Sequence, residues 1–377
     1  MNISVDSLFL KGIFSLSPMI SSKRVGFIGN SRFSEMISCT IWSYSMSLKV
    51  GNSCFRQFLS PPIVFQEEKQ IISFRTDYFS AFVEINDNAF WKCSSNEYPG
   101  GAISISNDNS YSSISKCDFW QCSSYCLTIY SDISTGYYIG GGGAHIRSKE
   151  SNVISCCFLQ CEAYGRGSSI NSYGPEGASS LTSNCHFLKS LTNKTTCTGT
   201  IMYSRCSAYT SYSNFTLSSG PRVSGISHSH ACPRNYLGFV VFSNIFSDAI
   251  LCSTLNNGTE ISTHCCFSNI TSSGTFGQGA LFYHYYYTYI FDWMVFVGCS
   301  KKLVTISSGT VMFRNSCFDS TPITNSLPEF GVGCYIGQST MTIPLSILCF
   351  ERTEVQTVKQ TFKRFPFFLI SNVLLEQ

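Results

Sequence analysis

Ile114-Ser-Lys-Cys117-Asp-Phe119-Trp-Gln-Cys122 and Val153-Ile-Ser-Cys156-Cys-Phe158-Leu-Gln-Cys161 are two versions of one unit. In each, a phenylalanine anchor has a cysteine two residues before it and another three residues after it. Side chains of a strand alternate between faces, so the anchor and the residue two before it point the same way, inward. The anchor and its large apolar successor then break the alternation. A bend must follow, which makes the third residue after the anchor inward again and turns the polar residue between them to water. A helix would need apolar residues three and four apart over ten or more positions, which the Gly, Ser and Asn punctuation prevents.

Working outward, the anchor recurs as Phe55, Phe90, Phe119, Phe158, Phe187, Phe215, Phe242, Phe267, Phe296 and Phe318, with Phe33 and Phe350 extending the series. Spacings from 22 to 39 residues argue for coils with unequal loops rather than for helical repeats, whose period is tighter. Cys117, Cys156, Cys185 and Cys265 lie two before an anchor; Cys93, Cys122, Cys161 and Cys299 lie three after one, with Ser190, Ser218 and Thr321 as small substitutes. Lys92, Gln121, Gln160 and Lys189 hold the polar position, and Trp91, Trp120, Leu159 and Leu188 the large apolar one. Between anchors runs a second element: Gly100-Gly-Ala-Ile103, Gly142-Gly-Ala-His-Ile146, Gly199-Thr-Ile201 and Gly279-Ala-Leu281. Its glycines suit a tight corner beside a neighbouring coil.

The pattern predicts an all-β chain: a single-stranded right-handed parallel β-helix, a solenoid of about ten coils. The repeats occupy residues 51–350. Residues 1–50 are expected to be irregular N-terminal coils or a cap. Residues 351–377 lose the repeat, gain charge and are expected to cap or trail the last coil, whose bare strand edges would otherwise be exposed.

Alternation of a Gly-Gly-Ala-Ile element with a Phe-x-x-Asn element resembles the repeats of the chlamydial polymorphic outer membrane proteins. Gly100–Ile103 matches the first element in full, and Gly142–Ala144 matches its first three residues. The second element carries Cys93, Cys122 and Cys161 in place of Asn, as in the Cys-rich β-helix proteins on the surface of trichomonad protists. The resemblance covers residues 50–350. It implies a pectate-lyase-like β-helix at a cell surface and carries over no catalytic residue.

The 377 residues are 44% hydrophobic, 15% aromatic and only 12% charged. Ser, Thr, Asn, Gln and Tyr must therefore supply the polar surface, a mixture that suits strands better than helices. A net charge of +3 with no dense Lys/Arg cluster excludes a nucleic-acid footprint. At the N-terminus Phe9–Leu10 and Ile13–Leu16 are apolar, but Lys11 and Gly12 interrupt them, and no basic segment precedes them as in a signal peptide. No apolar run reaches membrane-helix length; Phe365–Ile370 contains Pro366. The compartment is left open, the surface or exterior if a full-length form carries an export signal and the cytoplasm otherwise.

The twenty cysteines read as small apolar fillers stacked coil upon coil, mostly free thiols, although neighbours about 4.8 Å apart lie within disulfide range. Zinc is not expected, because no Cys-x-x-Cys pair occurs. Nor is a Cys/His nucleophile, because His186 adjoins Cys185 and His264 adjoins Cys265, and strand neighbours face opposite ways. The acids Asp87, Asp118, Asp292 and Asp319 take different positions relative to the anchor, so they form no aligned carboxylate pair of a β-helix lyase or hydrolase. His228-Ser-His230 reads as a solvated loop pair, and Gly140–Gly143 lacks the Lys-Ser/Thr of a phosphate loop. No catalytic, metal or cofactor residue is expected.

Glycosylation sequons stand at Asn2, Asn193, Asn214, Asn257 and Asn269; Asn214, just before an anchor, should face outward, and Asn257-Gly258 reads as a turn. In Tyr283-His-Tyr-Tyr-Tyr-Thr-Tyr289, alternation would expose Tyr283, Tyr285, Tyr287 and Tyr289 as a binding strip, or as plain amphipathic surface. The expected function is non-catalytic: surface or secreted adhesion or display, binding a protein or glycan of another cell or matrix. The alternatives are a carbohydrate-active β-helix enzyme and an intracellular scaffold.

Overall fold

An inward phenylalanine on a parallel strand can stack on the same residue one strand away, and that repeat organises the chain. The computed structural model describes residues 3–12, 20–22, 26–37, 41–43, 47–66, 81–96, 98–125, 140–190, 199–229, 235–254, 259–271, 282–285, 287–299, 302–306, 309–319, 323–324, 329–330 and 334–336. All the regular elements among them are strands. They pair in parallel and fall into three ladders that the chain visits in turn. The first begins with Ile3–Asp6, Gly26–Gly29, Ser47–Gly51 and Ala81–Asn86. The second begins with Phe9–Lys11, Arg32–Met36, Cys54–Phe58 and Ala89–Ser95. The third begins with Ile20–Ser22, Ile41–Ser43, Ile63–Gln66 and Ile103–Ser106. This order persists to Ile323–Thr324, Glu329–Phe330 and Tyr335–Ile336. The described strands between Ile3 and Gly51 belong to the same ladders as the rest, whereas 351–377 lie outside the described residues.

The anchors share one register in the second ladder, from Phe33 through Phe55, Phe90, Phe119, Phe158, Phe187, Phe215, Phe242, Phe267 and Phe296 to Phe318. Successive rings stack with centroids 4.5 to 5.2 Å apart. All are buried. Leu10 and Ile336 continue the column at its two ends. The place after Phe318 in the register therefore belongs to Ile336; Phe350 lies outside the described residues.

The expected bend after each anchor is a left-handed residue. Glu35, Gln57, Lys92, Gln121, Gln160, Lys189, Leu217, Asn244 and Asn269, each two after an anchor, have φ between 50° and 58°. A second left-handed column, three before the anchors, was not expected: Asn30, Asn52, Asp87, Lys116, Ser155, Asn184, Tyr212, Phe239, His264, Trp293 and Asn315 have φ between 46° and 56°. The anchor strands from Phe33 to Phe296 are each bracketed by two such corners, with Gly298 at the last. A left-handed residue is normally unfavourable outside Gly and Asn, so something must hold the corner.

Backbone bonds between coils supply part of it, as the Lys116 N–H donates to Ile154 O at 3.0 Å, and the cysteines add a second donor. The side chain just past the first corner donates to the carbonyl two residues back: Cys117 Sγ to Ser115 O at 3.2 Å, Cys156 Sγ to Ile154 O at 3.3 Å, Cys185 Sγ to Ser183 O at 3.3 Å and Cys265 Sγ to Thr263 O at 3.3 Å. Ser31, Ser53, Asn88, Ser213 and Ser316 make the same bond in other coils. Past the second corner Cys93, Cys122, Cys161 and Cys299 donate to the carbonyls of Trp91, Trp120, Leu159 and Val297. Each of these eight thiols also reaches a carbonyl of the preceding coil, as Cys122 reaches Phe90 O and Cys185 reaches Val153 O. The thiols are free, and all but the half-buried Cys299 are buried in the apolar core as expected; their hydrogen bonds to carbonyls are an addition to that packing.

The glycine element lies at the entry to the third ladder. Gly100 has φ of 87°, and a Cβ there would come within 2.0 Å of the Ile103 carbonyl oxygen; at Gly142 it would come within 2.2 Å of Ser168 O in the next coil. The register corrects the alignment by one residue. Ile103 pairs with Ala144, so Gly101 corresponds to Gly142 and Gly143 replaces Ala102. Gly279–Leu281 lies outside the described residues.

Truncating a central ring tests the stack. Phe158→Ala removes a fully buried side chain with ring neighbours on both sides and should cost about 3–5 kcal/mol, measured as a fall in the urea unfolding midpoint; an unchanged midpoint would contradict the stacked column.

Candidate functional site

Inward positions are consumed by stacking and capping, so candidate binding groups must come from the corners and outward faces. At the first corner, a left-handed backbone turns the side chain out to solvent. Over four successive coils that position carries Tyr212, Phe239, His264 and Trp293. Their rings stack at centroid distances of 4.9, 4.7 and 5.8 Å. Tyr212 is 38% exposed and Trp293 45%. Beside them runs a second outward column, Tyr209, Tyr236, Ile261 and Ile290, in direct register. Tyr236 leans across to the corner; a Cβ at Gly238 would sit 2.3 Å from its hydroxyl. Partial burial raises the Tyr236 phenol above its ordinary range.

This geometry decides what the surface offers. The ring faces are turned to one another, so the edges point outward. Ring edges are the positive part of the aromatic quadrupole and complement hydroxyl and carbonyl oxygens. His264 adds an imidazole to the stack, its Nδ1 2.8 Å from Thr263 Oγ1.

The predicted site residues are distributed differently. Asn214 is half-buried and outward, its Nδ2 3.4 Å from His186 Nδ1. Asn269 is exposed at a second corner and donates to Asn244 Oδ1 at 3.3 Å. Asn2, Asn193 and Asn257 lie outside the described residues. The tyrosine strip does not run along one strand: Phe282–Tyr285 belongs to the third ladder and Tyr287–Asp292 to the first. Tyr289 is fully buried, and its hydroxyl donates to the Glu260 carboxylate, so the expected exposure fails there. Nothing is described of the Tyr283, Tyr285 and Tyr287 side chains.

His228 is likewise corrected. It lies in the strand Ser219–Ser229 at 6% exposure, with Nδ1 3.5 Å from Glu260 Oε2, rather than in a solvated loop; His230 lies outside the described residues. Asn235 Nδ2 donates to the same carboxylate at 3.4 Å. These groups end a buried polar seam. Ser151 donates to Ser180 at 2.8 Å, Ser172 to Ser180 at 3.0 Å, and the Tyr203 hydroxyl donates to Thr182 at 2.7 Å. Burial raises the Tyr203 phenol above its ordinary range. The seam escaped the sequence reading because inward positions were expected to be apolar; serines in register at 112, 151 and 180 were its signal.

A second buried histidine faces the outer side of the third ladder. His145 is 2% exposed, with Nδ1 3.2 Å from Asn171 Nδ2. Burial, with Arg147 beside it, pushes its pKa down to about 3. Among the Cys thiols, burial pushes Cys265 and Cys299 up to about 12. Among the described residues no cluster of His, Cys, Asp and Glu forms a metal site, and no helix is long and apolar enough to cross a membrane.

No family model, curated protein or solved structure matches the chain.

His145 makes stability depend on pH. Its folded pKa lies below the ordinary value of about 6.5, so the unfolded chain binds the extra proton. The stability it contributes is complete above 6.5 and is lost as pH falls toward 3, by up to roughly 1.4 kcal/mol per pH unit. The urea midpoint of His145→Gln should fall less steeply than that of the wild type across that window; parallel slopes would contradict the assignment.

Proposed function

We propose that the three ladders are the faces of a single-stranded right-handed parallel β-helix. The protein would be a non-catalytic surface or secreted solenoid that binds a protein or glycan of another cell or matrix. Right-handedness is the near-universal hand of crossovers between parallel strands. The single observation that carries the binding reading is the exposed corner of Tyr212, Phe239, His264 and Trp293. A soluble fold gains nothing by leaving stacked rings in water, and exposed aromatic patches of this kind mark interaction sites. Oxygen-rich partners fit the outward edges. The resemblance to polymorphic outer membrane proteins and trichomonad surface proteins, with the exposed Asn269 as a glycan acceptor, supports a location at or beyond the cell surface.

The described acids give a carbohydrate-active enzyme little to work with. Glu84 pairs with Lys49 at 2.8 Å, Asp108 pairs with Arg147, and Glu260 is buried. None of these sits beside a second carboxylate on the adjacent coil.

Localisation and binding together test the proposal. The endogenous product should be found outside the cytosol. Purified protein should bind immobilised matrix proteins or neutral oligosaccharides, and the Phe239→Ala/Trp293→Ala pair should weaken that binding at least about tenfold without shifting the unfolding midpoint. A cytosolic product, or binding that ignores the pair, would contradict it.

A further inference from the structure

The outward column just before the anchors carries chemistry that stacking does not use. Over successive coils it reads Asp118, Cys157, His186 and Asn214, each in register with the next. Cys157 therefore faces away from the carbonyl-capping thiols, including its neighbour Cys156. The sequence pairs His186 with Cys185, on the opposite face; the fold instead sets it beside Cys157 of the preceding coil. Strands about 4.8 Å apart place a thiol and an imidazole on adjacent coils within hydrogen-bonding reach. On the far side of His186, Asn214 Nδ2 lies 3.4 Å from Nδ1. With the amide turned so that its oxygen accepts from Nδ1–H, the ring is held in the tautomer whose Nε2 takes a proton.

We propose that Cys157 is a reactive thiol that undergoes exchange with low-molecular-weight disulfides, with His186 as its proton acceptor and Asn214 as a positioning residue. In the step, the Cys157 thiol gives its proton to His186. The thiolate then attacks one sulfur of R–S–S–R, forming Cys157–S–S–R and breaking the original bond, and the departing R–S⁻ takes the proton from the imidazolium. Cys157 is oxidised and the departing sulfur reduced, with no other oxidant. Asp118, on the other side of Cys157 and exposed, opposes the thiolate. A glycan on Asn214 would exclude this role.

The same column provides internal comparisons. Cys54 stands between Arg32 and Ala89, and Cys266 between Val241 and Val295, with no imidazole in register beside either. Both are half-buried, whereas Cys157 is only 6% exposed. Exposure alone would make Cys157 the slowest of the three.

The test uses the intact protein with oxidised glutathione, mapping mixed disulfides by mass spectrometry across a range of pH. Cys157 should react at least about tenfold faster than Cys54 and Cys266 at neutral pH. His186→Ala and the size-preserving His186→Gln should slow it about tenfold and move its pH inflection upward. Asn214→Ala should slow it while leaving an inflection, and Asp118→Asn should speed it. Reaction no faster than at Cys54 and Cys266 would overturn the proposal, as would an unchanged pH profile in folded His186→Gln protein.

Discussion

The structure depends on the carbonyl just before the first corner, which accepts two hydrogen bonds, as Ile154 O accepts from the Lys116 N–H of the preceding coil at 3.0 Å and from Cys156 Sγ at 3.3 Å. The left-handed residue that follows lets the side chain beyond it fold back onto that oxygen. A typical intramolecular hydrogen bond contributes about 0.5–1.5 kcal/mol net. Two corners flank the anchor strands from Phe33 to Phe296, so the contribution recurs from coil to coil. A small donor two residues beyond the carbonyl makes the second bond. Sulfur reaches both that oxygen and one from the coil before, as at Cys156, with contacts of 3.3 and 3.6 Å. Cys, Ser and Asn interchange at this place because each donates a hydrogen bond from a short stem.

This explains which parts of the fold were legible in the sequence. The anchor register was legible because phenylalanine is large, apolar and repeated. The bend after each anchor was legible because two adjacent apolar residues violate strand alternation. The corner before each anchor was hidden, since Asn, Asp, Lys, Ser and several aromatic residues all occupy it and only its backbone is constant. The glycine element misaligned by one residue for a related reason: four consecutive glycines, Gly140–Gly143, give no side chain with which to set the phase.

The candidate site was less legible still. The tyrosine run invited reading as one alternating strand, but it divides between two ladders, and Tyr289 turns inward to Glu260. The aromatic corner is assembled from residues 25 to 29 positions apart, a pattern visible only once the anchors are aligned and the residue three before each is read down the column. The Cys157–His186–Asn214 column has the same origin. In a fold of this kind, adjacency across coils brings chemistry together, and adjacency along the chain separates it onto opposite faces. Packing and function therefore divide by face: the inward columns hold the coils together, and the outward columns are free to vary.

The central claim is that the buried thiols are carbonyl caps. Comparing urea unfolding of Cys156→Ser with that of Cys156→Val separates this from apolar filling, because serine keeps the donor and valine keeps the apolar volume. The capping account predicts that Cys156→Val is less stable than Cys156→Ser by about 0.5–1.5 kcal/mol, the net worth of the lost hydrogen bond. The reverse order, valine tolerated and serine costly, would contradict it.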